Sequence, residues 1–276
     1  MACPCEVLLR TDSEGDARQL ASLAFDEAQR IERKFSRYRE DNIVAAINGS
    51  GGRPVTLDPE TAQLLRYADS CFALSDGLFD VTSGILRRAW RFDGGEFTPD
   101  TAQIESLLLL VGWNHARLDD CTLTLLPGME IDLGGLGKEY AVDRVCRLLQ
   151  DASDVGAMVN FGGDIAVVDA ADPGEAWVVG LADPESPDRP IGDIELSRGA
   201  ITTSGVSYRH CYVNGRRLGH ILDPRTGWPV AEPPRSVTVV GDFCMEAGML
   251  TTLAMLQGSE AERFLSGQGV TFHCHW

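Results

Sequence analysis

Glycine sets the strongest limit on how this chain can fold. There are 29 glycines in 276 residues, above the roughly 7% of an average protein. They gather at Gly134-Gly135-Leu136-Gly137, at Gly162-Gly163 and between Gly199 and Gly205, and the clustering predicts turns at all three places. Without a Cβ, glycine reaches positive φ and lets backbone approach a ligand closely. A site lined by main chain needs both properties.

Between these clusters the hydrophobic pattern alternates between two periods. Residues 6–10 read as a first strand. Residues 16–35 carry Leu20, Leu23, Ala24, Ala28, Ile31 and Phe35 on one helical face. A second helix has Asp58 as N-cap, Pro59 in its first turn, and Leu64, Ala68, Cys71 and Phe72 along one side, with Gly77 closing it. Asp100 caps a third, over 101–110, and two short strands flank Asp119-Asp120. Residues 138–151 form a helix on Tyr140, Val142, Val145, Leu148 and Leu149. Strands follow at 157–160, 165–168, 177–180, 194–197, 208–213 and 237–240. Asn214-Gly215 marks a hairpin, and a last helix covers 246–257. Helices and strands are interspersed without a βαβ rhythm, so the pattern predicts α+β rather than a doubly wound parallel sheet. No repeat or linker divides residues 1–276, which read as one domain.

The net charge of −17 disfavours nucleic acid and anionic membranes as partners. No stretch approaches the ~20 apolar residues of a membrane span. The N-terminus lacks a basic region followed by an apolar core, and the expected compartment is the cytoplasm. Eight cysteines without a CxxC pair read as reduced, mostly packed thiols. Cys3-x-Cys5 and His273-Cys274-His275 are metal-binding candidates without a matching second half.

Several short motifs carry chemistry. Gly134-x-x-Gly137 precedes a helix whose free N–H groups suit a phosphate, although an ordinary strand–turn–helix joint has the same signature. Ile201-Thr202-Thr203-Ser204-Gly205 offers three hydroxyls beside a glycine, as a phosphate cradle or an ordinary Ser/Thr turn. The run His220-Ile221-Leu222-Asp223-Pro224-Arg225-Thr226-Gly227 places a histidine, a general acid or base near neutral pH, before an Asp-Pro turn with an arginine. A capped turn with a hydrogen-bonded histidine is the structural alternative. Gly248 and Thr252, four apart, share a helical face.

Taken in order, these blocks resemble the ApbE-type flavin transferases, FAD:protein FMN transferases. Met1-Ala2-Cys3-Pro4 stands where that family has Met-Gly-Thr. Phe35-Ser36-Arg37-Tyr38, with Asn48 after it, resembles its Phe-Ser-Arg-Tyr segment. Gly77-Leu78-Phe79-Asp80-Val81-Thr82-Ser83-Gly84 is similar to Gly-x-Phe-Asp-x-Thr-x-Gly. Residues 132–143 resemble Asp-Leu-Gly-Gly-x-Ala-Lys-Gly-Tyr-x-x-Asp. Asn160-Phe161-Gly162-Gly163-Asp164, Thr203-Ser204-Gly205 and the 220–227 run complete the likeness.

The resemblance implies an α+β, T-fold-like architecture with two similar subdomains enclosing a nucleotide cleft. It implies Mg²⁺-dependent transfer of FMN from FAD to a threonine hydroxyl of a partner protein, with release of AMP. It assigns His220 to the reacting groups, with Asp223 and Thr226 shaping its turn. Met1 and Tyr38 are expected on the flavin, Leu78, Phe79 and Asp80 at the nucleotide, and Gly134, Tyr140 and Ile221 along the pocket. The metal is expected on the Gly137 carbonyl and Thr252.

Three residues depart from that pattern. Gly248 replaces the aspartate that partners Thr252, Gly137 replaces alanine, and Glu139 replaces glycine. Magnesium favours hard oxygen ligands and usually a carboxylate, so Gly248 weakens the expected site. The alternative function is therefore an FAD-binding protein or FAD pyrophosphatase with degraded transfer. Restoring aspartate at 248 is expected to raise Mg²⁺ affinity. Glu139 either returns a carboxylate to the metal or repels the nucleotide.

Overall fold

A computed structural model describes residues 3–168, 176–183, 189–206 and 209–276. The first half contains β1 (Cys5–Leu9), α1 (Glu14–Phe35), α2 (Ile43–Asn48), β2 (Val55–Thr56), α3 (Pro59–Leu74), α4 (Thr101–Leu108), β3 (Arg117–Asp119) and β4 (Thr122–Thr124). Then come α5 (Gly137–Ala152), β5 (Ala157–Phe161), β6 (Asp164–Val168), β7 (Trp177–Ala182), β8 (Pro190–Leu196) and β9 (Gly199–Gly205). The chain closes with β10 (His210–Val213), β11 (Arg216–Gly219), β12 (Ser236–Gly241), α6 (Cys244–Leu256), α7 (Ala261–Gln268) and β13 (Thr271–His275).

The helix starts follow their capping chemistry. The Ser13 hydroxyl accepts from the Asp16 amide, and Glu14 and Asp16 favour the positive end of α1. Asp58 accepts from the Glu60 and Thr61 amides with Pro59 in the first turn of α3. Asp100 caps α4 through Gln103. After α3, Gly77 at φ +80° returns its N–H to the Phe72 carbonyl.

One six-stranded sheet organises the molecule, in the order β1-β5-β6-β9-β12-β13. Each of its pairings is antiparallel, as expected of an α+β fold rather than a parallel one. Smaller sheets are β2-β4-β3, β7-β8 and β10-β11. The sheet has two unlike faces. Ile165, Val167 and Ile201 pack with Val179 and Leu196 of the β7-β8 hairpin. Ala166, Val168 and Ala200 face the other way, into the main core with Ala141, Val142 and Val145 of α5 and Leu20, Ala24 and Ile31 of α1. Val237 and Val239 of β12 pack under α6 with Ala247, Leu250 and Ala254. A separate cluster around Ile85, Trp90, Ile104 and Cys211 supports the 220–230 loop.

Gly199 is a turn glycine, at φ +88° where β8 passes into β9, but the residues after it through Gly205 form strand β9 near the middle of the main sheet. The 201–205 segment is therefore not a phosphate-cradling turn. Both glycines also allow close packing. A Cβ on Gly199 would stand 2.5 Å from the Gly241 carbonyl oxygen, and one on Gly205 2.9 Å from the Arg235 carbonyl oxygen. The helix predicted last is followed by α7 and β13. The Asn214-Gly215 hairpin forms as read, with φ of +53° and +73°. The start of the 208–213 strand lies partly outside the described residues, and Met1 lies wholly outside them.

The eight cysteines are free thiols, four of them buried and only Cys5 exposed. Among the described residues, no three His, Cys, Asp or Glu side chains converge as a metal cage. Strand alternation sends Cys274 into the α6–α7 cluster, whereas its neighbours His273 and His275 point to the opposite face. No helix among the described residues is long and apolar enough to cross a membrane.

Helix α6 has no cap from Phe243, the residue that precedes it. Asp143 on α5 supplies one, accepting from the Cys244 amide at 2.8 Å and the Met245 amide at 2.9 Å. This fixes α6 on α5 at its first turn. Replacing Asp143 by alanine should cost about 1–2 kcal/mol, measured as a lower urea midpoint at unchanged m-value. A midpoint equal to that of the wild type would show that solvent caps α6 equally well.

Candidate active site

Around the glycine turn, a segment of three residues is held from every side. Arg87 and Arg88 pair with Glu130. The Asn48 side chain donates to the Ile131 carbonyl at 3.0 Å and accepts from its amide at 2.7 Å. Asp132 receives the guanidinium of Arg37 and the Gly134 amide, and its own amide bonds the Val81 carbonyl. A Cβ on Gly84 would stand 2.2 Å from that of Asp132, so only glycine fits beneath it. These contacts set the exposed Gly134-Gly135 turn and the start of α5.

Arg37 also donates to the Tyr38 hydroxyl at 2.8 Å and lies over its ring. Tyr38 is 71% exposed, which leaves a ring face free beside the turn. Hydrogen bonding by Arg37 first, and by Arg209 in addition, holds the Tyr38 phenol below its usual pKa. The charge of Arg209 also acts on His220. Arg209 thus joins the Tyr38 region to the histidine loop. No sequence signal marked it.

His220 opens a closed loop. Its amide bonds the Arg209 carbonyl, Val230 and Ile221 pair, and the Asp223 amide bonds the Trp228 carbonyl. Gly227, at φ +71°, presents its carbonyl to the buried Trp90 indole at 2.8 Å. The Asp223 carboxylate accepts three hydrogen bonds from Arg225. Burial works to raise its pKa, and Arg225 outweighs this and holds it low. The Thr226 hydroxyl accepts from the Trp228 amide. Asp223 and Thr226 both hydrogen-bond within the turn. Ile221 packs between the main core and the α6 cluster. The His220 Nδ1 is buried without a hydrogen-bond partner. Burial first, and Arg209 second, push its pKa down to about 4.

Leu78, Phe79 and Asp80 lie beneath the turn. All three are buried, and the Phe79 ring would touch a Cβ on Gly135 at 3.8 Å. The Asp80 carboxylate is committed to the Thr82 amide and hydroxyl and to the Trp113 amide. Tyr140 stands at the junction of α1, α3 and α5, edge-on to Phe35, and donates to Glu60 at 2.7 Å. Its hydroxyl points into an ion-pair network with Arg30 and Lys34.

The other end of the turn leads to the α5–α6 contact. Gly137 begins α5, and Glu139, in its first turn, is 8% exposed. Glu139 lies against Gly248: a Cβ there would sit 2.6 Å from Glu139 Cγ, 3.3 Å from Cδ and 3.4 Å from Oε1. Burial first, and then the charge of Asp164, raise the Glu139 pKa well above the carboxylate range. Lys138 pairs with Asp164. Burial would lower the lysine pKa, and the charges of Asp164 and Glu139 outweigh it. On α6, Thr251 is fully buried and bonds Ser204 and the Gly248 carbonyl, whereas Thr252 is partly exposed and Glu246 faces solvent.

Comparison with known proteins identifies the frame in which this geometry sits. The model of the ApbE family matches residues 1–273. The chain belongs to the ApbE family. It is 33% identical to an FAD:protein FMN transferase of Klebsiella pneumoniae strain 342, over 92% of this chain and 80% of the relative. It is 30% identical to one of Vibrio cholerae, over 84% and 71%. The crystal structure of the Thermotoga maritima ApbE protein superposes with a TM-score of 0.89 at 29% identity, covering 99% of this chain and 90% of that one. The apo Pseudomonas stutzeri flavinyl transferase ApbE, at 24% identity and a TM-score of 0.83, shares the fold.

In this ApbE chain His220 is neutral in the native state above about pH 4, whereas an unfolded histidine titrates near 6.5. Between those values the unfolded chain binds a proton that the native one refuses. This histidine's contribution therefore lowers stability as pH falls through that window. The difference in unfolding free energy between wild type and His220→Gln should change between pH 7 and pH 4 and be flat above 7. A pH-independent difference would show that the ring titrates normally.

Proposed function

We propose that this protein transfers FMN from FAD to a threonine hydroxyl of a partner protein and releases AMP. The observation that supports this most directly is His220: a neutral imidazole with an unpartnered Nδ1, held in a braced loop and linked through Arg209 to the free face of Tyr38. In this reading Tyr38 packs on the isoalloxazine, with Met1 as a second flavin contact. The Gly134 turn receives the phosphates, Phe79 supports that turn, and Tyr140 acts by orienting α5.

The threonine oxygen forms a bond to the phosphorus of the FMN half. The P–O bond to AMP breaks, and AMP leaves with the electron pair. The threonine proton passes to the His220 imidazole. A pKa near 4 makes a weak base, but the negative charge of a bound diphosphate raises it toward neutrality. Holding the ring uncharged until substrate arrives keeps it ready to accept.

Mg²⁺, when bound, neutralises charge on the diphosphate. The residues fit a hard cation: the Gly137 carbonyl and Thr252 hydroxyl are oxygen donors, and Glu139 Oε2 is a buried oxygen without a partner. The second reading, FAD binding or hydrolysis without transfer, is favoured only by the missing aspartate at 248.

Incubation with FAD, Mg²⁺ and a threonine-bearing acceptor domain tests the proposal. Covalent flavin fluorescence on the acceptor with stoichiometric AMP is expected, whereas AMP without acceptor labelling favours the second reading. His220→Ala should lower transfer about 10²–10⁴-fold with FAD affinity retained. Undiminished transfer would remove histidine from the chemistry.

A further inference from the structure

Two departures from the family pattern, Gly248 and Glu139, face each other across the α5–α6 contact. Aspartate cannot enter position 248 with Glu139 as it stands, because its Cβ would lie 2.6 Å from Glu139 Cγ. In turn, the Glu139 side chain reaches its present position only because residue 248 has none. Its carboxyl carbon lies 3.3 Å from that Cβ point, so it occupies the region where an aspartate carboxylate would be.

The surroundings are short of a partner. Glu139 Oε2 is buried and meets no donor, its near neighbour Asp164 being a second carboxylate, and the hydroxyl of Thr202, 1% exposed, is likewise unpartnered. The Ile165–Ile201 register of β6 and β9 places Thr202 across from Asp164, on the face that looks to α5 and α6. Lys138 pairs with Asp164, so its charge is already engaged. A buried oxygen left without a donor costs free energy, and a cation bound there would satisfy it.

We propose that Glu139 is the carboxylate ligand of the divalent cation in this protein, having moved the charge from α6 to α5 while Gly248 keeps the space open. The assignment rests on the transferase reading for the identity of the site, with the Gly137 carbonyl and Thr252 as its companions. It also changes the expectation drawn from sequence. Aspartate restored at 248 alone displaces Glu139 and gives no simple gain; the gain requires removing Glu139 as well.

The test measures Mn²⁺ binding at equilibrium, by titration calorimetry and by loss of the free-ion EPR signal, in the full chain saturated with FAD. FAD binding is followed separately by flavin fluorescence. Glu139→Gln, nearly isosteric, should retain the fold and FAD affinity and weaken Mn²⁺ by about tenfold or more. Glu139→Gly with Gly248→Asp should recover most of that loss, while Gly248→Asp alone should bind less tightly than the double variant. Unchanged Mn²⁺ affinity in Glu139→Gln, or no Mn²⁺ binding by the wild type with FAD bound, overturns the proposal and leaves the transferase reading standing. Failure to bind FAD overturns both.

Discussion

The close approach of α5 to α6 is the constraint on which the site depends. Asp143 ties the first turn of α6 to α5 through two backbone amides. One turn earlier on α5, Glu139 fills the hollow at Gly248. The two contacts fix both the separation and the register of the helices. With that register set, the Gly137 end of α5 and the Thr252 side of α6 stand at the same end of the main sheet. A shift of α6 by a fraction of a turn would break the cap and drive its backbone into a buried carboxylate.

A second layer of order comes from residues set behind the exposed turn. Asn48, Arg37, Arg87 and Arg88 converge on Glu130, Ile131 and Asp132. Buried polar groups are costly unless paired, and here the pairing fixes main chain. The exposed Gly134-Gly135 turn is therefore preorganised by its neighbours, although its own glycines impose little order. Preorganised amides are what an anionic substrate needs, since they cost little to reorient when it binds.

Much of this was legible in the chain. The capped helices and the Asn-Gly hairpin announce themselves through local chemistry, and the ordered blocks name the family. What could not be read were relations between distant residues. Gly205 looks like a turn former, and only the neighbouring strand explains it as a close-packing position. Asp80 and Tyr140 read as ligand contacts from their motif, and their hydrogen bonds to Trp113 and Glu60, in other segments, exist only once the chain has folded. Arg209 carries no motif, and its link to Tyr38 exists only after folding. Glu139 and Gly248, more than a hundred positions apart, look like separate losses until their contact is seen.

The main sheet has a further property. Its outer strands, β1 and β13, are the first and last strands of the described chain. Trimming either tail by a few residues would uncover the hydrogen-bonding row of β5 or β12. An open row of that kind recruits strands from other molecules. Tags and fusions are thus better joined beyond these strands than in place of them, and a preparation shortened at either end should be watched for self-association before any change in its chemistry is interpreted.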